Sequence, residues 1–573
     1  MSAASSPLAA DAVAGIRDAR LRDIVADHWE YMMKWAPTWA TTLGDHRYDD
    51  RLAPRDAAAI AEMDAEHAAL LARISDIDIA TLGDTDAVTC KLLRGRLEAE
   101  QALAQLKLHE HHLVDAGMST VFDELSYLIE MHVVRSHADA QNVVARMRMG
   151  AKLFDDKVAH LAVGLATRRV SSAEKIRRVI GQLDAELEKP VETWAMASPA
   201  WADREPELHA ELRSIIATEI HPAVVRMRDF LRDRLLPNAR GDNEGLCALS
   251  DGDAAYRASI LYHVGLPIDP RTLHELGLRE IARTDRELTE LGRRVFGTSD
   301  LASTFARLRD DRALYFGSGA ELLTAAQFAL DRAKAAVPSY FSVLPITDCV
   351  MREIPDYEAP YSTIAYYRQP HYDGTKPGEY FVNTYKPETR PRYELEALTW
   401  HESIPGHHLQ IALAQELGEL PAFRKLDGST AFVEGWALYT EHLAEEMGLY
   451  TADLDRIGRA SYDAWRASRL VVDTGIHALG WTRAQAEAFM REHTALTPIN
   501  ISNEVDRYIG WPGQALSYKF GQLEIIKLRG EAEQKLGARF DLKAFHAIVL
   551  GAGAVTLPVL ADRVNAWITA NQS

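Results

Sequence analysis

Histidine and glutamate residues in the second half of the chain follow one another in an order that is typical of metal-binding sequences. In the segment Trp400-His-Glu-Ser-Ile-Pro-Gly-His-His-Leu-Gln410, His401 and Glu402 precede two further histidines, His407 and His408. Zinc peptidases hold their metal with two imidazoles from such a segment and use the glutamate beside the first histidine as a general base. The segment therefore predicts a zinc site in which Glu402 activates a water molecule.

The spacing of the histidines does not decide which of them is the second metal ligand. On a regular helix, a ring six residues after His401 would lie about 120° away from it, and a ring seven residues after it about 20° away. Pro405 and Gly406 lie between, however, and these two residue types interrupt helices. Either His407 or His408 can therefore return to the metal. The alternative for the whole segment is a helix break with surface histidines.

A carboxylate further along the chain completes the set of ligands. Glu434 follows His407 by 27 residues, which allows one helix, a turn and a second antiparallel helix. It lies among bulky apolar residues, where an unpaired carboxylate is costly and a cation would remove the cost. Two histidines and a glutamate leave the fourth zinc position open for water. Glu441, two turns later on the same face, is either an acceptor for a ligand imidazole or part of a solvated face.

The elements that must position these residues are mostly helices. Apolar residues recur at helical spacing, among good helix formers, in segments 55–75, 87–113, 139–166, 172–188 and 204–236. The residues from 338 to 392 are instead rich in proline, glycine and aromatic residues, and Glu379–Tyr385 predicts a short strand. We expect a mainly α protein with a small β element, divided into a helical part (1–337) and a catalytic part (338–573) or forming one integrated domain. A turn cluster at 237–245 is a further candidate seam.

The composition of the chain limits which partners and which cellular compartment we expect for the protein. The chain carries 64 Lys and Arg against 83 Asp and Glu, a net charge of −19, which disfavours binding to nucleic acids and anionic membranes. Cys90, Cys247 and Cys349 are far apart and form no disulfide or metal pattern. The N-terminal residues lack the pattern of a secretory signal, and no run of 18 apolar residues predicts a membrane span. We therefore expect a cytoplasmic protein. The oligomeric state is not readable from the sequence.

Several motifs in order resemble the DUF885 family, whose members are regarded as relatives of the gluzincin metallopeptidases. They are the His-Glu-x-x-Pro-Gly-His-His-Leu-Gln run from His401, the Glu-Gly-Trp-Ala-Leu-Tyr-x-Glu run from Glu434, Asp473-Thr-Gly-Ile-His477-Ala-Leu-Gly-Trp481, Arg507-Tyr-Ile-Gly-Trp-Pro-Gly-Gln-Ala-Leu-Ser-Tyr518-Lys-Phe-Gly521 and an early run from Pro37 to Leu52. The resemblance covers nearly the whole chain. It implies a large helical, gluzincin-like fold with a deep cleft, one wall of which is formed by residues 1–337. It also implies that His407, directly after Pro-Gly, is the second histidine ligand.

The same resemblance implies a residue that stabilises the oxyanion on a later helix. His477 and Tyr518 are the candidates, and a tyrosine hydroxyl is effective there when it is fixed in a dry site. Asp473 lies four residues before His477 and therefore shares its helix face, where it can orient the imidazole. The alternative for His477 is a core histidine with satisfied hydrogen bonds.

Polar residues near these motifs are candidates for substrate binding. Arg507, Gln514 and Lys519 can hold the carbonyls or the carboxylate of a peptide, and the arginine fork suits a free C-terminus. Arg507 can equally pair with neighbouring acids as part of the structure. If Glu379–Tyr385 is an edge strand, it can bind an extended peptide through its main chain, with Asn383 adding a side-chain contact.

Together these residues predict a zinc-dependent hydrolase that cleaves peptide bonds of short or unfolded peptides. Glu402 would take the proton of the water and pass it to the leaving amine. One alternative is a non-catalytic binding or scaffold protein derived from a peptidase, against which the intact Glu402 argues. Another is a metal-dependent hydrolase of a non-peptide amide or ester, which the sequence does not separate from a peptidase.

Overall fold

The structure is a computed structural model that describes residues 6, 8–113, 120–241, 243–355, 359, 363–372 and 376–572. The chain divides into two compact units, Met1–Ala255 with Ile509–Trp511 and Tyr256–Tyr508 with Pro512–Ser573. Helices dominate both units, which confirms the mainly α fold. The predicted division after residue 337 falls within the second unit, whereas the turn cluster at 237–245 lies shortly before the boundary between the units. The wall of a cleft predicted for residues 1–337 stays a prediction.

The first unit is built from helices around a large apolar core. They are Ala9–Ala12 (α1), Ala19–Trp35 (α2), Pro37–Thr42 (α3), Ala57–Ser75 (α4), Asp84–Ala104 (α5), Val121–Met131 (α6), His137–Arg148 (α7), Gly150–Ala166 (α8), Ala173–Leu187 (α9), Pro206–Ile215 (α10) and His221–Phe230 (α11). Several helices begin at a polar cap. Before α7, for example, Ser136 and Asp139 form a reciprocal capping box. The core contains the buried rings of Phe122, Phe154 and Trp194.

The second unit contains the predicted metal-binding residues. After Gly252–Val264 (α12), which spans the boundary, its helices are Pro270–Phe296 (α13), Leu301–Asp310 (α14), Gly319–Ala336 (α15), Leu395–Glu402 (α16), His407–Glu416 (α17), Ala422–Leu426 (α18), Thr430–Glu446 (α19), Asp453–Leu479 (α20), Arg483–His493 (α21), Pro498–Gly510 (α22), Leu516–Leu536 (α23), Leu542–Leu550 (α24) and Leu557–Asn571 (α25). The long helix α20 packs along α13, and α19 packs along α23. The predicted metal ligands therefore lie on helices that many other contacts hold in place.

The close packing of α19 against α23 depends on two glycines. A Cβ atom at Gly435 would lie 2.4 Å from the carbonyl carbon of Gly521, and one at Gly521 would lie 1.8 Å from the carbonyl oxygen of Ala431. Both contacts are with backbone atoms, which do not move aside as a flexible side chain does. The two helices can therefore approach this closely only where both positions lack a side chain.

We expect Gly521→Ala to lower the free energy of unfolding by about 1–3 kcal/mol or more, because overpacking of a tight interior is destabilising. Gly530→Ala is a matched control on the same helix, since Gly530 is exposed and a Cβ atom there meets nothing within 4 Å. This control should be neutral or more stable by up to about 1 kcal/mol, because alanine is the better helix former. Thermal unfolding of both variants tests the difference. Equal melting temperatures would contradict the packing argument.

A small β element precedes the helices that carry the candidate metal ligands, as predicted, and it is a three-stranded sheet. Its strands are Cys349–Glu353 (β1), Ala365–Arg368 (β2) and Gly378–Val382 (β3), in the order β1-β3-β2. β3 pairs in parallel with β1 and antiparallel with β2. Binding of an extended peptide by Glu379–Tyr385 required an edge strand, and β3 does not meet this condition, because both of its sides are occupied by neighbouring strands. Main-chain pairing of β3 with an extended peptide is excluded for the same reason.

None of the helices in the described part of the chain has the length and apolar composition needed to span a bilayer.

Candidate metal centre

Three of the predicted ligands lie together in the second unit. One ligand atom from each of His401, His407 and Glu434 falls within a group whose members are all within 4.8 Å of one another. Glu434 Oε2 is 3.8 Å from His401 Nε2 and 3.6 Å from His407 Nε2. The two imidazole rings are nearly perpendicular, at 85°, with centroids 4.8 Å apart. The three side chains thus converge on one point from α16, α17 and α19.

A tight turn between α16 and α17 brings the two histidines together. Helix α16 ends at Glu402, and the N–H of Gly406 donates to the carbonyl of Trp400 at 2.9 Å before α17 begins. A Cβ atom at Gly406 would lie 2.0 Å from the carbonyl oxygen of His401. Only glycine fits this position, which explains why the Pro-Gly pair lies inside the motif.

His408, the alternative ligand, lies elsewhere. Its Nδ1 is 2.9 Å from the hydroxyl of Tyr367 on β2, and its Nε2 is 3.1 Å from the carbonyl oxygen of Thr347. The side chain is fully buried, and burial lowers its pKa to about 4. Both ring nitrogens thus fasten α17 to the region of the sheet, and the structure groups His407, not His408, with His401 and Glu434.

Glu441 lies behind His401, in agreement with its predicted place beside a ligand imidazole. Its Oε1 is 2.7 Å from His401 Nδ1, and both side chains are buried. A carboxylate in this position fixes the ring orientation and leaves Nε2 to face the other two ligands. Burial lowers the pKa of His401, but the carboxylates of Glu434 and Glu441 outweigh it and raise the pKa to about 9.

The residues present fit a divalent cation. Glu434 Oε2, the oxygen that faces both imidazoles, is buried and has no hydrogen-bond partner among the described residues. Burial alone would raise the pKa of Glu434, but the two imidazoles hold it well below its usual range, so this carboxylate is ionised. Ligand atoms of a tetrahedral zinc site are about 3.3 Å apart, slightly less than the two separations here. Two imidazoles and one carboxylate are a common donor set for catalytic zinc.

Glu402 is the acid that lies beside His401 in the histidine segment. Its half-buried carboxylate forms no hydrogen bond within the described ranges. Burial raises the pKa of Glu402, and the imidazoles of His407 and His401 offset only part of this shift. A carboxylate that is available and easier to protonate than usual is suited to accept a proton and pass it on.

Tyr518, Arg507 and Gln514 form a second predicted group. Arg507 Nη2 donates to Gln514 Oε1 at 2.8 Å and to the Tyr518 hydroxyl oxygen at 3.1 Å. The hydroxyl proton of Tyr518 has no acceptor in the part of the chain that the structure describes. The arginine therefore fixes the phenol while its proton stays available for a ligand.

His477 and Asp473 are both buried in α20. Nε2 of His477 is 2.9 Å from the carbonyl oxygen of Tyr508. The Asp473 carboxylate accepts hydrogen bonds from the Tyr256 hydroxyl at 2.5 Å and from the N–H of Gly513 at 3.1 Å, while burial raises its pKa to about 7. Asp473 thus anchors the chain at Gly513, and the oxyanion role of His477 stays a prediction.

The side chain of Asn383 forms hydrogen bonds with other parts of the protein. The side chain is fully buried, its amide donates to the carbonyls of Ala359 at 2.8 Å and Thr363 at 2.9 Å, and its Oδ1 accepts from the N–H of Tyr385 at 3.0 Å. These contacts clamp the chain around β3. They do not support the predicted contact of Asn383 with substrate.

Lys519 is likewise taken up by internal partners. Only 1% of its surface is exposed, and its ammonium lies 2.5 Å from Asp463, 2.8 Å from Gln522 and 3.1 Å from Glu280. A buried ammonium with this many partners stabilises the packing of α13, α20 and α23. This placement does not support the predicted binding of substrate by Lys519.

Comparison with known proteins places the chain in a family. Residues 37–564 match the DUF885 model, which is described as a bacterial protein of unknown function. The chain belongs to the DUF885 family. No curated protein matches its sequence.

Two solved structures share the fold of this DUF885 chain. A protein called a "putative lipoprotein" from Colwellia psychrerythraea is 25% identical, with a TM-score of 0.88 over 96% of this chain and 99% of that one. A "putative lipoprotein of unknown function" from Shewanella oneidensis is 19% identical, with a TM-score of 0.73 over 95% of this chain and 98% of that one. The second likeness shows the fold alone.

One neighbour of the site in this DUF885 chain was not among the predicted residues. Arg466 on α20 is 96% buried, and its Nη2 is 3.7 Å from Glu441 Oε1, the oxygen that also contacts His401. The signal in the sequence is a row of polar side chains along the helix, because Arg459, Tyr462, Arg466 and Arg469 follow one another at intervals of three and four residues. Such spacing places them on one face.

Proposed function

We propose that this DUF885 chain is a zinc-dependent peptidase that cleaves short or unfolded peptides. The observation that carries the proposal is the convergence of His401, His407 and Glu434, next to a glutamate that has no internal partner. A metal site that served only structure would need no such glutamate. Zinc would be held by these three side chains, with Glu441 supporting His401 from behind.

When bound, zinc supplies Lewis-acid chemistry that makes a water molecule more acidic and a carbonyl more electrophilic. Glu402 then removes the proton from the attacking water and transfers it to the leaving amine. The hydroxyl of Tyr518, fixed by Arg507, is available to donate to the oxyanion that develops on the scissile carbonyl. Donors that are already oriented lower the barrier most, because they need no reorganisation during the reaction.

Two alternatives make different predictions about Glu402 and about substrates. A binding or scaffold protein derived from a peptidase would be inert on every peptide and gain nothing from Glu402. A hydrolase of non-peptide amides or esters would keep the same metal and general base but would cleave other substrates. The unengaged Glu402 favours the two hydrolases over the scaffold.

Purified protein should contain about one zinc per chain and cleave members of a mixed peptide library, with cleavage sites read by mass spectrometry. Removal of the metal by a chelator should abolish cleavage, and added zinc should restore it. Hydrolysis confined to amide or ester model compounds would favour the second hydrolase. Zinc-loaded protein that is inert on all of these substrates would overturn the proposal.

The cytoplasmic location expected from the sequence stays a prediction. Both solved neighbours carry the word lipoprotein in their names, and attachment to a membrane surface through a lipid is the alternative for this chain. Cell fractionation separates the two. The expected partner is a peptide substrate, with no nucleic acid and no membrane involved in the chemistry.

A further inference from the structure

An alternating stack of aromatic rings and guanidinium groups leads away from the candidate metal centre. Arg466 lies over the rings of Tyr462 and Trp465, with its guanidinium carbon 4.3 and 4.6 Å from their centroids. Arg469 lies over Trp465 at 4.7 Å and over Tyr518 at 4.3 Å. Arg507 follows at 5.8 Å on Tyr518. We call these six residues the arginine stack.

The arginine stack begins next to the metal ligands. Arg466 Nη2 is 3.7 Å from Glu441 Oε1, and the same oxygen is 2.7 Å from His401 Nδ1. At the other end, Arg507 donates hydrogen bonds to Tyr518 and Gln514, and its Nη1 lies 3.8 Å from Glu504 Oε1. The stack therefore connects the neighbour of a metal ligand with the tyrosine proposed to stabilise the oxyanion.

The buried part of the stack carries positive charge that its internal partners do not fully satisfy. Nε and Nη1 of Arg466 and Nη1 of Arg469 are buried without a hydrogen-bond partner among the residues described. Glu504 Oε2 accepts a hydrogen bond from Arg469 Nη2 at 3.0 Å. The same oxygen also accepts hydrogen bonds from Trp465 and Tyr508. Buried guanidinium N–H groups without acceptors are costly, and an anion close to them would offset that cost.

The three arginines of the stack differ in their exposure to solvent. The side chains of Arg466 and Arg469 are 5% and 3% exposed, whereas that of Arg507 is 24% exposed. A ligand can therefore reach Arg507 directly, whereas its partners Gln514 and Tyr518 are 4% and 9% exposed. Arg466 and Arg469 act on it through their field, which is strong because water is largely excluded around them.

We infer that the arginine stack forms a subsite for a carboxylate group of the substrate, so that the preferred substrates are peptides with a negative charge next to the cleaved bond. This inference rests on the proposed peptidase function and names its substrate class. The planar fork of Arg507 matches a carboxylate in two parallel hydrogen bonds. The carboxylate comes from the free C-terminus of the peptide or from an Asp or Glu side chain, and these sources have the same chemistry.

Peptides that differ only in charge test the subsite. One pair has a free C-terminal acid or a C-terminal amide, and a second pair has Glu or Gln at one position near the cleaved bond. Binding is measured by calorimetry to zinc-loaded Glu402→Gln protein, which holds the peptide without turning it over. We expect the charged member of at least one pair to bind about 10- to 100-fold more tightly, and the pair that responds identifies the source of the carboxylate.

Variants of the stack then assign the preference. Arg507→Gln in the Glu402→Gln background should remove most of the preference, so that the charged and the neutral peptide bind about equally tightly. Arg466→Met should reduce the preference without touching the peptide, and if this buried variant does not fold, Arg507→Gln decides alone. Arg294→Gln is the matched control, since Arg294 is half exposed on α13 and pairs with Asp453.

Each outcome separates this inference from the proposed function. Equal binding of charged and neutral peptides, or an equal loss of both in Arg507→Gln, would overturn the carboxylate subsite even if the wild type cleaves peptides. A charge preference that depends on Arg507 in a protein inert on every substrate would keep the subsite and overturn the peptidase.

Discussion

Glu402→Gln should cleave peptides about 10²–10⁴-fold more slowly than the wild type while it binds zinc equally well. Glutamine keeps the size of the side chain and its ability to accept a hydrogen bond, but it does not accept a proton at neutral pH. The loss should appear in kcat, because the proton moves only in the transition state. Zinc content measured by atomic spectrometry and steady-state cleavage of a peptide found in the library test both parts.

The control for this variant is Glu419→Gln, which makes the same chemical change at an exposed position in the loop after α17. It should leave both zinc content and cleavage unchanged. An unaltered rate in zinc-loaded Glu402→Gln would exclude the proposed role of Glu402. If the wild type were also inert on peptides and amides, the binding or scaffold protein would become the better proposal.

The fold could be predicted in class because helical periodicity is a local property of the sequence. The runs of apolar residues at helical spacing correspond to long helices such as α4, α5 and α9. The pairing of strands is not local. The run around β3 predicted a strand, but its central position depends on two short strands at 349–353 and 365–368 that show little alternation. The sequence therefore predicted the strand but not its place in the sheet.

The candidate site shows the same division between local and distant information. His401, Glu402 and Glu434 could be selected by residue type and spacing. Glu441 could be selected by its place two turns after Glu434. The choice between His407 and His408 depends on the turn at Gly406, whose N–H bonds to Trp400, and spacing rules for a regular helix do not describe that turn. The arginine stack joins α20 to residues of α22 and α23. Arg507 and Tyr518 were selected from their sequence motif, whereas Arg466 and Arg469 were not, and the contacts between the two halves depend on the tertiary structure.

The internal contacts of Asn383 and Lys519 could not be predicted for the same reason. A polar residue near a motif is equally compatible with a substrate contact and with an internal one, and only the tertiary structure distinguishes them. Asn383 donates to the main-chain carbonyls of Ala359 and Thr363, which lie between β1 and β2 in the sequence. Lys519 lies next to Asp463, a buried carboxylate that also contacts Arg283 and His442 and needs cationic partners in this position. Both demands arise from segments far away in the sequence.

His407→Ala should lose nearly all of its bound zinc and all zinc-dependent cleavage, whereas His408→Ala should retain both. His407 Nε2 faces Glu434 at 3.6 Å, and without it the centre has two protein ligands instead of three. Loss of a supporting residue behind a ligand typically weakens metal binding 10- to 100-fold, so loss of a ligand itself should exceed about 100-fold. Zinc affinity is measured by competition with a chromophoric chelator.

The adjacent histidines serve as matched controls because the two variants remove the same side chain from neighbouring positions. His408→Ala breaks the contacts with Tyr367 and Thr347, so it should lower the melting temperature while zinc stays bound. His407→Ala without metal should keep its helical circular dichroism, because α17 is held by many contacts besides the metal. If zinc is instead lost with His408→Ala and retained with His407→Ala, the ligand assignment is wrong, and the turn at Gly406 must rearrange when the metal binds.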